Sequence, residues 1–178
     1  QHRVPFAAHP KLAEILADWM TDLARQGARE ICCWLSERPA EDGRPETADV
    51  GQFVLEARAC VNAWREACEE YPDLEIRLFL STTTFERDYR VLAEVPPEIK
   101  VIRCCITEEE RIQHLPRDLF SNPLFDHYAE QGRWIGTYDV PLNANGRVET
   151  PEFKIPMRSA HRIRDFVRQM INRRYSLI

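Results

Sequence analysis

The chain has 178 residues, of which 44% are hydrophobic, so it is long enough to bury the core of one domain and short for two. Its 24 basic and 29 acidic residues are mixed along the sequence and leave a net charge of -5, which argues against nucleic acid as the default partner. No apolar run approaches the roughly 18 residues that a membrane span needs, so we expect a soluble protein without a membrane partner.

The first predicted elements are an amphipathic helix and an apolar strand. Apolar residues at helical spacing predict a helix over residues 10–26, and Gly27 stands where a left-handed C-terminal cap is expected. The run Ile-Cys-Cys-Trp-Leu predicts a strand over residues 30–35 that is buried on both faces and ends at Ser36 and Glu37. A long polar loop follows, and long loops in compact domains tend to be functional.

The same alternation of strand and helix continues to the end of the chain. Further strands are predicted over residues 74–80, 99–106 and 134–138, and further helices over residues 52–70, 85–94, 124–131 and 157–173. A last apolar run begins at Tyr175. Strands that alternate with helices at this spacing pair in parallel through right-handed crossovers, so the sequence predicts an α/β fold.

Two architectures fit this α/β pattern. One is a doubly wound sheet, and the other is a partial (β/α)8 barrel of the TIM type with about four consecutive parallel βα units. The sequence has no glycine-rich first turn and only six glycines in all, which favours the partial barrel. Residues 1–178 are therefore expected to be a fragment of a single (β/α)-barrel domain.

The spacing of cysteine and histidine gives little support to a metal or redox site. The six cysteines stand in predicted strands or on the apolar side of a helix, which is typical of small hydrophobic residues. No C-x-x-C, H-x-H or H-E-x-x-H spacing occurs, and neither a phosphate-binding glycine loop nor a G-x-S-x-G nucleophile motif is present. We predict no cofactor and no metal, and the cell compartment stays open.

Two carboxylates are the candidates for chemistry. Glu37 and Asp139 each follow a predicted strand directly and precede one of the two longest loops, so both are expected at the same edge of the sheet. Glycoside hydrolysis uses such a pair, in which one carboxylic acid protonates the leaving oxygen and the other carboxylate acts as nucleophile or base. The alternative is that each one only caps the next segment or joins a surface ion pair.

Four further residues are predicted to bind substrate at this edge. Trp34 and Tyr138 lie near strand ends, where their rings can stack on a sugar, although packing in the core is the alternative. Ser81 and Thr83 belong to a polar cluster after the second strand, and this cluster can also cap the following helix.

Several short strings resemble bacterial glycoside-hydrolase-like barrels, which are similar to the barrels of β-hexosaminidases and α-glucuronidases. The strings are Trp34-Leu-Ser-Glu, the stretch FVLEARACVNAWREA from Phe53, LAEVPPE from Leu92 and GRWIG from Gly132. The resemblance implies that the strands are the fourth to seventh of a barrel, followed by the start of the eighth. It also implies that Glu37 is the acid and Asp139 its partner. The loop after Glu37 lacks the cysteines that relatives often carry.

Three functions remain open at this point. The leading prediction is a fragment of a carbohydrate-active hydrolase that needs the remainder of its barrel for activity. The second is a non-catalytic carbohydrate-binding or structural barrel. The third is a metal-dependent sugar isomerase or aldolase-like barrel that uses the acidic run from Glu108 to Glu110.

Overall fold

The computed structural model describes residues 7–36, 50–80, 89–104, 123–138 and 160–176. Their elements alternate between helix and strand in chain order: α1 (Leu12–Arg25), β1 (Glu30–Trp34), α2 (Gln52–Glu70), β2 (Glu75–Leu80), a short 3-10 helix (Tyr89–Glu94), β3 (Lys100–Cys104), α3 (Pro123–Glu130), β4 (Ile135–Tyr138) and α4 (Ala160–Asn172). The predicted α/β class is confirmed. None of the described helices has the length and apolarity needed to cross a bilayer.

The four strands form one parallel sheet in the order β1-β2-β3-β4. β1 pairs in parallel with β2, with Glu30 opposite Glu75 and Trp34 opposite Phe79. β1 has β2 as its single neighbour among the described strands, which makes it an edge strand. The contacts divide the chain into two compact units, Gln1–Val101 and Ile102–Ile178.

The core of the first unit lies between α2 and one face of the sheet. α2 spans the predicted residues and buries Phe53, Ala57 and Val61 on one face, at the spacing of an amphipathic helix. Ile76 and Leu78 of β2 are fully buried. These side chains exclude water from one side of the sheet, which is the main source of stability in such a layer.

The prediction that β1 is buried on both faces is wrong. Glu30, Cys32 and Trp34 are exposed and alternate with half-buried residues, because the described helices cover one face of the strand only. An apolar run alone does not distinguish a strand covered on two faces from one covered on one face. Helix α1 likewise buries only part of its apolar side, since the side chains of Trp19 and Leu23 stay 57% and 43% exposed.

Two helices end in glycine caps of the same geometry. At the end of α1, Gly27 adopts a φ of +101°, the Gly27 amide donates to Ala24 at 2.9 Å, and the Ala28 amide donates to Leu23 at 3.0 Å. Gly132 closes α3 in the same way, with a φ of +82°. This pair of bonds is the Schellman motif, which needs a left-handed residue and therefore favours glycine. The predicted cap at Gly27 is confirmed.

In the second unit, α4 ends in the same motif without a glycine. Arg174 takes the left-handed position with a φ of +58°, its amide donates to Ile171 at 3.1 Å, and the Tyr175 amide donates to Met170 at 2.9 Å. The next amide, that of Ser176, donates to the carbonyl of Ile135 at 2.7 Å. The start of the last apolar run thus lies beside the beginning of β4.

Candidate functional site

One side of the β1–β2 pair, which we call the open face, carries charged side chains at one end and aromatic side chains at the other. Paired residues of parallel strands share a face, so the open face consists of Glu30, Cys32 and Trp34 of β1 together with Glu75, Arg77 and Phe79 of β2. The other side faces α2, because the thiol of Cys33 on β1 is hydrogen-bonded to that of Cys60 on the helix. Glu30, Cys32, Trp34 and Glu75 are exposed on the open face.

The end of the open face at the start of the strands is an ion-pair cluster. Glu30 contacts Arg77 Nη2 at 2.6 Å and Lys100 Nζ at 2.8 Å, and Lys100 also contacts Glu75. The hydrogen bond from Arg77 lowers the pKa of Glu30 most, partial burial opposes this shift, and the bond from Lys100 adds to it. The cluster keeps the Glu30 carboxylate ionised well below neutral pH.

The other end of the open face is aromatic. The rings of Trp34 and Phe79 have centroids 4.1 Å apart and are tilted by 39°. Phe79 is buried, whereas the Trp34 side chain is 56% exposed. An indole held against a buried ring, with half of its surface free, provides a rigid apolar platform for a ring-shaped ligand. Trp34 is therefore not a core residue among the described residues, and its role in binding substrate stays a prediction.

The other predicted site residues are not described to the same extent. Glu37, Asp139, Ser81 and Thr83 lie outside the described residues, as does the acidic run 108–110. Tyr138 is the last residue of β4, and its side chain is also outside the description. The separation of the two carboxylates thus stays a prediction.

A polar cluster holds the end of β1 immediately before Glu37. Glu56 of α2 accepts hydrogen bonds from the Ser36 amide at 2.9 Å and from the Ser36 hydroxyl at 2.6 Å. The Gln52 side-chain amide donates to the same carboxylate at 2.9 Å. We call Ser36, Gln52 and Glu56 the strand-end cluster.

Sequence reasoning missed Glu56, although a signal was present. Gln52 and Glu56 stand four residues apart, so they share one side of the helix. Phe53 and Ala57, the next residues along the chain from each, are buried. Two polar side chains bordering a buried helix face need hydrogen-bond partners from the packed neighbour, here the end of β1.

The thiols of Cys32, Cys33, Cys60 and Cys68 are free. The hydrogen bond between Cys33 and Cys60 lowers the pKa of Cys33 and, together with burial, raises the pKa of Cys60. Cys32 is exposed, so the prediction of a small buried residue is wrong at that position. Within the described ranges, no group of histidine, cysteine and acidic residues has the geometry to hold a metal ion.

The second unit has a cleft of its own, with a volume of about 500 Å³. The lining residues come from α3 and from the end of α4: Asp126, Glu130, Asn172, Arg173 and Arg174. Asp126 is already engaged, because it accepts bonds from Arg173 at 3.1 Å and from the Tyr175 hydroxyl at 2.8 Å. Burial and this contact raise the pKa of Tyr175. The cleft contains none of the predicted site residues.

In comparisons with known proteins, no family model, no curated protein and no solved structure matches this chain. The resemblance to glycoside-hydrolase-like barrels therefore stays a prediction.

Proposed function

We propose that this chain is part of a (β/α)8 barrel that hydrolyses glycosidic bonds. In this proposal Glu37 is the general acid and Asp139 the second carboxylate. The substrate is a carbohydrate, which is bound by Trp34, Ser81, Thr83 and Tyr138. The remaining strands of the barrel complete the site.

The strand order supports a barrel over a doubly wound sheet. Strands that neighbour each other in sequence order, joined by right-handed crossovers, place all their helices on the same face. In a closed barrel this face is the outside, and the opposite face is the packed interior. A doubly wound sheet instead reverses its strand order and carries helices on both faces. The sequential order β1-β2-β3-β4 and the open face both agree with the barrel.

The outer edge of β1 and the exposed apolar residues of α1 support the presence of further barrel strands. No described strand pairs with the outer edge of β1, and edge strands of this kind invite pairing with another strand. On α1, Trp19 and Leu23 expose a continuous apolar stripe. A preceding strand and its helix would cover both. In this proposal β1 is the fourth strand of the barrel.

The single observation that carries the carbohydrate assignment is the position of Trp34. It lies on the open face, at the end of the strand that leads directly to Glu37, with half of its indole exposed. Apolar faces of sugar rings stack on such indoles, and the carboxylic acid that protonates the glycosidic oxygen must lie within hydrogen-bond reach of the stacked sugar. One strand therefore supplies both the platform and the acid.

The test is the Glu37→Gln variant of the full-length protein, assayed on a panel of aryl glycosides. Glutamine keeps the size of the side chain but cannot donate a proton to the leaving oxygen, so we expect kcat to fall by a factor of about 100 to 10,000. Glu69→Gln, an exposed position on α2, is the matched control and should retain full activity. Unchanged turnover in Glu37→Gln would remove Glu37 from the mechanism.

The second candidate function is a non-catalytic carbohydrate-binding barrel. The Trp34–Phe79 platform supports binding without requiring either carboxylate. The same panel separates the two functions, because a binding module retains affinity for glycans and shows no turnover.

A further inference from the structure

We infer that Glu56 is a positioning residue for Ser36, which precedes Glu37 in the chain. The inference rests on the proposed function, in which Glu37 is the general acid. Both oxygens of the Glu56 carboxylate are bonded to Ser36: Oε2 accepts from the backbone amide at 2.9 Å, and Oε1 accepts from the hydroxyl at 2.6 Å. Two bonds to one residue fix the orientation of its backbone as well as that of its side chain.

The end of β1 needs this contact because of its place in the sheet. The Leu35 amide donates to the carbonyl of Phe79 at 3.1 Å and so points toward β2. Amides alternate in direction along a strand, so the Ser36 amide points away from β2, where no described strand lies. Glu56 supplies the acceptor on that side. Hydrogen bonds to a carboxylate are about twice as strong as those between neutral groups.

Helix α2 makes the contact rigid. Gln52, one turn before Glu56, donates to Oε1 and holds the carboxylate in place. Cys60, one turn after Glu56, is hydrogen-bonded to Cys33 of β1. Side chains of the helix are thus hydrogen-bonded to the second half of β1 and its end at two positions, Cys33 and Ser36.

The experiment compares Glu56→Gln with Glu66→Gln, a matched change at an exposed position of the same helix. Glutamine keeps only one acceptor oxygen and removes the negative charge, so it cannot accept both Ser36 bonds as the carboxylate does. We expect kcat on aryl glycosides to fall by a factor of about 10 to 100, with KM changed by less than about twofold, since misplacing a catalytic group costs turnover before binding. Hydrogen exchange at the Ser36 amide should accelerate. Glu66→Gln should alter neither.

A double variant tests whether the effect passes through Ser36. Ser36→Ala removes one of the two bonds and is the milder change, which guards against a variant that fails to fold. If Glu56 acts through Ser36, the loss of kcat in Glu56→Gln combined with Ser36→Ala will be smaller than the product of the two single losses.

The possible outcomes separate the inference from the proposed function. Unchanged exchange at Ser36, or wild-type kcat in Glu56→Gln, would overturn the positioning role while leaving the hydrolase proposal intact. Absence of turnover in the wild-type protein would overturn the hydrolase and the catalytic part of the inference together. The exchange measurement would then still decide whether Glu56 holds the end of β1.

Discussion

The two faces of the β1–β2 pair differ in what holds them together. The face toward α2 is apolar, with Ile76 and Leu78 fully buried, and its stability comes from exclusion of water. The open face changes character along the strands, from the ion pairs of Glu30 to the aromatic pair of Trp34 and Phe79. The two sides of the same strands thus depend on different interactions, so substitutions on the two sides should have separable effects.

The largest effect is expected on the covered face, from Leu78→Ala. This side chain is completely buried, and its truncation removes apolar contacts and leaves a cavity. We expect the free energy of unfolding to fall by about 3 kcal/mol, measured by urea denaturation. A loss below about 1 kcal/mol would mean that this face is not the core of the unit.

An intermediate effect is expected from Trp34→Ala on the open face. Because the indole is half exposed, the loss of its contact with Phe79 should cost only about 1 kcal/mol of stability. Affinity for glycans, measured by calorimetry, should fall much more than stability does. Trp34→Phe keeps an aromatic ring and is the control that should retain most binding. Equal glycan affinity in all three proteins would exclude Trp34 from the binding site.

The smallest effect is expected from Glu30→Gln and depends on pH. The pKa of Glu30 is lower in the folded chain than in the unfolded chain, mainly through its bond with Arg77. Its stabilisation is therefore complete above the unfolded pKa of about 4.3 and is lost as pH falls through the lower folded value. At pH 7 the variant should be less stable by at most about 1 kcal/mol, because the side chain is partly exposed.

Urea denaturation between pH 7 and pH 2 checks this dependence. The stability curves of the wild type and Glu30→Gln should converge at the acid end. Glu98→Gln, at an exposed position, should follow the wild-type curve throughout. Parallel curves for the wild type and Glu30→Gln would show that the ion pairs contribute nothing to folding.

The α/β class and the order of the described elements were predictable because they depend on local patterns. Helical spacing of apolar residues located α2 at its observed bounds, and Gly27 marked the end of α1. The exposure of Cys32 was not predictable, since an apolar run does not reveal which face a helix covers. That choice depends on contacts between residues distant in sequence.

The candidate site was predictable only in part, for the same reason. Trp34 was identified from its place near a strand end, and the structure puts its ring on the open face. The link between Ser36 and Glu56 spans 20 residues and depends on how α2 packs on β1. Neither residue belongs to a motif, so only the packed structure brings them together.

The arginine cap of α4 ties the end of that helix to the start of β4. The left-handed conformation of Arg174 costs about 1 kcal/mol more than it would for glycine. This cost is offset by Tyr175, which is buried and bonded to Asp126 through its hydroxyl. The last turn of α4 therefore cannot fray without withdrawing Tyr175 and breaking the Ser176 bond to Ile135. Helix end and strand start should unfold together, as one cooperative segment.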